Sequence, residues 1–229
     1  MSIDQVITEP REVNGFERVA LRCPAGEAVL IITQGSKEAL TIRARQKIVS
    51  RIKTEVRGGR LTISTGGIWS EKLVDMLQTS LTRPQITCCL TVSKLVDLEV
   101  TGFAQVRLDG LDTERLALNF SGAGDVRIGA LASGLLEVNL RWMGQVEVAG
   151  KVTQQRVQIS MGTYGARKLE SKQAEVTLKG AGYATVWAVD TLDLNVRGPG
   201  GVAYYGTPTV RRSLSPVARV TRLGSLPAS

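Results

Sequence analysis

The sequence predicts an all-β fold in which the chain winds into a parallel β-helix, a single-stranded solenoid. A motif of alternating apolar residues followed by a glycine corner returns about every twenty residues, and an internal period of this size is typical of solenoids. Leu116, Leu118 and Phe120 show the alternation, as do Val157, Ile159 and Met161, which indicates strands with one buried face. No segment between copies has the length and 3.6-residue periodicity of a crossover helix, which argues against a layered α/β fold.

The second glycine position of each corner sets the period of the repeat. We place it at Ala104, Gly124, Gly144, Gly165, Gly182, Gly200 and Ala218. The steps are then 20, 20, 21, 17, 18 and 18 residues, which predicts about seven turns. A glycine at a corner lets the backbone bend or approach its neighbour closely. The alternative is an antiparallel sandwich of short strands, and the in-phase glycines count against it.

The first 94 residues do not share this period and are predicted to form a β-rich cap and the first turns, ahead of continuous repeats in residues 95–229. Alternation from Ile48 to Val56 predicts a strand there. Leu73, Val74, Met76 and Leu77 follow Ser70 at helical spacing, which predicts one short helix near residues 70–79. This helix would cover an apolar end of the solenoid or, if exposed, serve in dimerisation.

Positive charge is concentrated in the cap. The chain has 29 basic and 21 acidic residues, and seven of the basic ones lie between residues 43 and 60, against Glu55 alone. Strand alternation predicts that six of them face solvent: Arg43, Arg45, Lys47, Arg51, Lys53 and Arg57. Such a face can attract acidic polysaccharide, lipid headgroups or nucleic acid, although the lack of interleaved aromatic residues disfavours nucleic acid. A solvated face that blocks edge pairing is the simpler interpretation.

The residues needed for most catalytic sites are missing. The chain has no histidine, which excludes histidine-based triads and histidine metal sites. A carbohydrate-cleaving β-helix would need convergent carboxylates, and the candidates Asp109, Asp112 and Asp125 fall at different phases of the repeat. Only one corner in seven is followed by aspartate, so no calcium-binding stack is expected. We therefore expect no enzyme, no cofactor and no metal.

Two tryptophans and three cysteines remain to be explained. Trp142 and Trp187 could face solvent as platforms for sugar stacking, although packing is the commoner role of tryptophan in strands. Cys23, Cys88 and Cys89 provide no disulfide framework and no metal-binding spacing. The adjacent pair should point to opposite faces of a strand, and we expect buried, reduced cysteines.

Several segments in a fixed order resemble one protein family. They are Arg11 to Phe16, the turn Gln34-Gly35, Ile52 to Ile63, Ser121 to Val126, and Gly198 to Pro208. Together they resemble the auto-transporter adhesin head (GIN) domain, a bacterial family of unknown function. The resemblance implies a right-handed β-helix, export or surface attachment, and an adhesin role. It brings no catalytic residues with it.

The function predicted from these observations is non-catalytic binding, of an acidic polysaccharide or another cell-surface component, through the basic strand face. A self-assembling structural solenoid is the second possibility, and a polysaccharide-active enzyme the third. The segment Met1 to Gln5 has no basic region followed by an apolar core, so no signal peptide is expected, and no apolar run has the length of a membrane span. We expect either a cytoplasmic protein or a mature chain with an added methionine.

Overall fold

The computed structural model describes residues 5–65 and 85–224, without the side chains of residues 25–27 and 85. Of these described residues, 77% lie in strands, and they include one short helix. The elements in chain order are β1 (Val6–Arg11), β2 (Arg18–Gln34), β3 (Ala39–Arg45), α1 (Gln46–Val49), β4 (Lys53–Arg57), β5 (Arg60–Ser64), β6 (Gln85–Val92), β7 (Asp97–Leu140), β8 (Gly144–Ile159), β9 (Gly162–Leu178), β10 (Gly182–Val196), β11 (Gly201–Tyr205), β12 (Thr209–Leu214) and β13 (Arg219–Arg222).

The predicted β-solenoid is confirmed. Strands β2, β7, β8, β9 and β10 stack in parallel, each long enough to bend around corners and pair with its neighbour over several sides of the solenoid. The solenoid has about five turns, fewer than the seven predicted. At the C-terminus the chain forms three short separate strands, β11, β12 and β13, so the number of repeats exceeds the number of full turns. The handedness of the winding stays a prediction.

The corner positions stack in one column, with one correction to the predicted register. Gly144 pairs with Gly124, and the next corner position is Gly162, in register with Gly182. Gly165 lies three residues further along the strand, opposite Glu147 and Thr185. The prediction of Gly165 as a corner is therefore wrong. The corrected column is Ala104, Gly124, Gly144, Gly162, Gly182, Gly200 and Ala218.

The interior of the solenoid is a continuous apolar core of branched aliphatic residues, with few aromatic rings. Tyr164 is fully buried, whereas Met161, which the wrong register predicted to point inward, is 42% exposed. The Tyr164 hydroxyl donates to Gln155 Oε1 at 3.0 Å, and Gln155 Nε2 donates to Ser171 Oγ at 2.8 Å. Ser171 Oγ in turn donates to the Trp187 carbonyl at 2.7 Å. This buried hydrogen-bonded chain satisfies the polar groups in the core.

The N-terminal cap consists of β1, β3, α1, β4, β5 and β6. β3 lies between β1 and β6 and is antiparallel to both, and β6 joins β2 in parallel. β4 and β5 form an antiparallel hairpin, and β5 joins β2 in parallel. The predicted strand from Ile48 to Val56 is wrong in its first half, where α1 forms one helical turn before β4 begins at Lys53. The predicted helix near residues 70–79 lies outside the described residues.

Candidate functional site: a basic surface on the cap

The six cations predicted as a binding face lie on β3, on α1 and the turn that follows it, and on β4 of the cap. We call Arg43, Arg45, Lys47, Arg51, Lys53 and Arg57 the basic cap surface. They form three pairs in the structure. The first pair takes alternate positions of β3, the second consists of Lys47 in α1 and Arg51 in the turn that follows α1, and the third takes alternate positions of β4. Each spacing places both members of a pair on one side of their element.

The structure does not place all six cations on one strand, as the sequence predicted. Ile48 and Ile52 are buried, so the helical turn of α1 points Lys47 and Arg51 outward at the edge of the cap. β3 belongs to the sheet of β1 and β6, whereas β4 pairs with β5. The basic cap surface therefore runs from one side of the cap, over α1, to the β4–β5 hairpin.

Arg45 is half-buried and the other five cations of this surface are exposed. Within residues 5–65 and 85–224, none of these five forms an ion pair with a carboxylate. Glu55 lies between Lys53 and Arg57 on β4, and Arg57 lies opposite Arg60 across the hairpin. The Arg60 guanidinium instead pairs with Glu99 at 2.6 Å and Asp97 at 3.6 Å on β7. The surface thus keeps its positive charge.

Many charges on the solenoid, by contrast, are neutralised by the stacking of successive turns. Arg156 lies between Glu137 and Glu175 in register, at 3.7 and 3.6 Å. Arg115 donates to Glu137, and Lys151 pairs with Glu170 at 2.7 Å. Such exposed pairs hold side chains in place more than they stabilise the fold. They give this side of the solenoid a mixed charge.

The three candidate catalytic carboxylates are not brought together. Asp125 lies in register with Gln145 just after its corner, and pairs with Arg127 at 3.6 Å. Asp109 follows the preceding corner by five residues, so it lies about 13 Å further along the strand direction. The backbone of Asp112 is bound to the Gln34 side chain, at 2.8 and 3.0 Å. The arrangement offers no paired acid and base.

In the part of the chain that the structure describes, no three acidic or cysteine side chains form a group that could bind a metal ion. Cys23 and Cys88 are buried, whereas Cys89 is exposed. The prediction that Cys88 and Cys89 point to opposite faces is confirmed, and the expected burial is wrong for Cys89. Burial raises the pKa of Cys88 to about 12, so this thiol stays protonated and unreactive.

The two tryptophans lie in different surroundings. Trp142 is 57% exposed at a corner of the solenoid. Trp187 is half-buried on the outer face of β10, in register with Tyr205 of β11. Gly206 follows Tyr205, and a Cβ atom there would lie 3.5 Å from Trp187 Cδ1. The indole of Trp187 therefore lies against the neighbouring turn, beside a second aromatic residue.

The C-terminal basic residues have separate positions. Arg212 lies in register with the buried Leu194, and Arg222 with Tyr204, which packs against the core. Both arginines are exposed, and Arg222 Nε donates to the Gly206 carbonyl at 3.1 Å. At the last turn, arginine thus takes positions that are apolar in the turn before. Arg197 lies elsewhere, directly before a corner.

Sequence reasoning missed a line of apolar residues along the glycine corner, all of them exposed except the half-buried Ala123. The residue before the second corner position is non-polar in all seven copies: Phe103, Ala123, Met143, Met161, Ala181, Pro199 and Val217. We call this line, together with Trp142, the corner ridge. The signal was present in the sequence, but placing Gly165 at the fourth corner hid Met161 among the predicted core residues.

Among residues 5–65 and 85–224, the structure contains no apolar helix of membrane-spanning length.

Solved structures of similar fold include proteins from three bacteria. A "putative adhesin" from Bacteroides fragilis is 23% identical, with a TM-score of 0.79, over 96% of this chain and 94% of that one. A "putative lipid binding protein" from Parabacteroides distasonis is 19% identical, with a TM-score of 0.73, over 95% and 96% of the two chains. A "putative adhesin" from Parabacteroides merdae is 14% identical, with a TM-score of 0.72, over 96% of each. These likenesses show the fold.

No curated protein matches the chain in sequence. A family model does, and its description is "Putative auto-transporter adhesin, head GIN domain". The match extends over residues 19–208, from β2 through β11, and so includes most of the solenoid and the cap strands inserted into it. The chain belongs to the auto-transporter adhesin head GIN domain family.

Proposed function

We propose that this protein is a non-catalytic, adhesin-like binding protein whose basic cap surface binds an anionic glycan or a similar polyanion of a cell surface. The observation that carries the proposal is that five exposed cations within fifteen residues form no ion pair with a carboxylate in the described chain. Unpaired surface cations attract polyanions without a large loss of existing interactions. Family membership and the separation of the candidate carboxylates Asp109, Asp112 and Asp125 support binding as the function.

The shape of the basic cap surface favours an extended ligand over a small one. Its cations lie in three pairs that are distributed along β3, α1 with the turn after it, and β4. A flexible polyanion can follow such a surface and contact several cations at once. Each contact is weak on its own, so the affinity should depend strongly on salt.

Trp187 and Tyr205 are a further candidate contact for sugars. Their rings lie on the outer face of adjacent turns, and aromatic faces of this kind stack on sugar rings. We assign them a separate and secondary part in glycan binding, because they lie on the solenoid and away from the cap. Trp142 has no aromatic neighbour in register, so we do not include it.

Retention on immobilised heparin, with neutral dextran as the reference, tests the proposal. The test variant carries Lys47→Gln, Arg51→Gln and Lys53→Gln. The matched control carries Arg167→Gln, Lys168→Gln and Lys172→Gln, which removes the same three charges from exposed positions of the solenoid. We expect retention by the wild type and the control, early elution of the test variant, and no retention on dextran. Equal retention of the two variants would show that net charge, and not the cap, determines binding.

A further inference from the structure

We propose that the corner ridge is a docking surface for an anionic lipid bilayer. The proposal does not rest on the glycan-binding function, because it concerns a different face of the molecule and a different ligand. The ridge follows the corner from β7 to the C-terminal turns, whereas the basic cap surface lies at the N-terminal end of the solenoid.

Exposed apolar area is concentrated on this ridge. In the described part of the chain, ten large hydrophobic residues are exposed, and five of them lie on the ridge. Met143 is 66% exposed, Trp142 57% and Phe103 49%. Single exposed apolar residues are normal on a protein surface, but a contiguous line of them indicates an interaction site. The fold does not require apolar residues on this ridge, because an exposed residue between the first and second corner positions could equally be polar.

The shape of the ridge fits a flat surface. Successive turns of a parallel β-solenoid are about 4.8 Å apart, so seven stacked corners form a line of about 29 Å. The side chains project from an outer corner and not into a groove. Such an edge can insert to a shallow depth along its whole length, as apolar residues of interfacial proteins do. The indole of Trp142 is of the kind that prefers the boundary between headgroups and acyl chains.

The charges beside the ridge select an anionic surface. Exposed cations precede three of the seven corners, namely Arg141, Lys179 and Arg197, and threonine or serine precedes the other four. None of the three contacts a carboxylate in the described residues; Lys179 Nζ donates to Gln158 Oε1 at 3.3 Å. On the other side of the corner the acidic residue is Asp125, which is paired with Arg127. Lysine and arginine beside an apolar line can reach lipid phosphates while their stems remain in the interface.

The same charges argue against a second copy of this chain as the occupant. Two ridges in contact would bring cations from both copies to one interface with few carboxylates to compensate. Like charges at an interface oppose association. An anionic bilayer satisfies both the apolar line and the flanking cations, so we commit to it.

Vesicle co-sedimentation tests the proposal with two matched variants. The ridge variant carries Trp142→Ser, Met143→Ser and Met161→Ser. The control carries Val6→Ser, Val189→Ser and Leu223→Ser, which are 52%, 43% and 44% exposed and lie off the ridge. Vesicles consist of phosphatidylcholine with phosphatidylglycerol, or of phosphatidylcholine alone. We expect the wild type and the control to bind the anionic vesicles, and the ridge variant to bind at least about tenfold more weakly.

Other results would overturn the proposal. They are no binding by the wild type, equal binding by the two variants, or equal binding to both kinds of vesicle. A wild-type mass that rises with concentration in light scattering, and a constant mass for the ridge variant, would instead identify the ridge as a self-association surface. Heparin retention separates this proposal from the glycan proposal, because the ridge variant should keep it. If the cap does not bind glycans, vesicle binding can still be present.

Discussion

Gly122 illustrates at the scale of one residue why the corners of this solenoid exclude side chains. A Cβ atom at Gly122 would lie 1.9 Å from the Gly102 carbonyl oxygen of the preceding turn. Because this neighbour is backbone, it cannot move without shifting a whole turn. Gly110, at another corner, would place its Cβ atom no closer than 3.6 Å to the Ala130 carbonyl oxygen. Gly122 therefore has no room for a Cβ atom, whereas Gly110 has. Substituting each of them distinguishes the effect of close stacking from the effect of losing glycine's flexibility.

Gly122→Ala should destabilise the protein strongly, and Gly110→Ala should not. We expect a loss of about 2–3 kcal/mol in the free energy of unfolding for the first, because overpacking at this site forces the backbone apart. The second should change it by less than about 1 kcal/mol. Urea unfolding followed by circular dichroism gives both values. Equal stability of the two variants would contradict the close stacking of the corners.

Cys88 gives a prediction about pH. Burial raises the pKa of its thiol from 9.0 to about 12, with smaller contributions from Cys89 and Cys23. Above pH 9 the unfolded chain loses a proton that the folded chain keeps, so stability falls as the pH rises from 9 toward 12. Burial also raises the pKa of Tyr164, which adds to the fall. Cys88→Ala should reduce the loss between about pH 8 and about pH 10 by on the order of 1 kcal/mol.

Urea unfolding at the two pH values measures this difference, and Cys89→Ala is the control because Cys89 is exposed. An unchanged pH dependence in Cys88→Ala would show that the thiol is accessible to ionisation in the folded protein. Comparing the loss within each variant removes the effect of the small cavity that the substitution leaves.

At the scale of elements, the stacked strands organise charge as well as apolar residues. Glu137, Arg156 and Glu175 occupy one register position on consecutive turns of β7, β8 and β9. A carboxylate at the middle position would stack three like charges about 4.8 Å apart. At this register position, the alternation of opposite charges on successive turns avoids repulsion between like charges.

Arg156→Gln should cost less than about 1 kcal/mol, because the ion pairs are half-exposed. Arg156→Glu should cost more, and added salt should recover part of the difference by screening the repulsion. Thermal unfolding at low and high salt measures both. Arg107→Glu is the control, since Arg107 is exposed and forms no ion pair in the described chain. If Arg156→Glu and Arg107→Glu lowered the unfolding temperature equally at low salt, the stacked charges of Glu137, Arg156 and Glu175 would have no electrostatic role.

The strands of the repeat were predictable because their alternation is strict, whereas one corner and one cap segment were not. Between Met161 and Gly165 two glycines compete for the corner, and the core decides between them by burying Tyr164. An error of three residues exchanges the inner and outer faces of a strand, which is why Met161 was placed inside. In the cap, Ile48 and Ile52 fit a strand by alternation and a helical turn by their spacing of four. Only contacts with the rest of the fold decide between the strand and the helical turn.

The candidate site was predictable in composition but not in layout. The sequence shows six cations at odd positions, and the structure confirms that they are exposed or half-buried. Their distribution over β3, α1 and β4 depends on the helical turn that the sequence did not reveal. The corner ridge needed the correct register of every turn, because its residues are about twenty positions apart and look unrelated in the sequence.

At the scale of the whole molecule, the two ends of the solenoid must be kept from stacking on other copies. The cap covers the N-terminal end with antiparallel strands. At the other end, Arg212 and Arg222 take positions that are apolar one turn earlier. Charged residues at an exposed solenoid end oppose pairing with another chain.

Arg212→Leu combined with Arg222→Tyr should therefore promote end-to-end association. The substitutions place apolar side chains on the last turn, in register with Leu194 and Tyr204. The turn that contains Leu194 and Tyr204 is unchanged. Light scattering over a range of protein concentrations should show a mass that increases for the variant more steeply than for the wild type. Arg167→Leu combined with Lys168→Leu is the control for added surface apolarity. An increase of the same size in the control would contradict a specific role of the end.

The central claim is that the basic cap surface binds polyanions by charge. Its most direct test is the salt dependence of the heparin dissociation constant, measured by titration for the wild type and for the variant with Lys47→Gln, Arg51→Gln and Lys53→Gln. We predict a steep weakening of wild-type binding with salt, and a weaker and flatter dependence for the variant, because fewer charge contacts remain to be screened. Identical curves for the two proteins would contradict the claim.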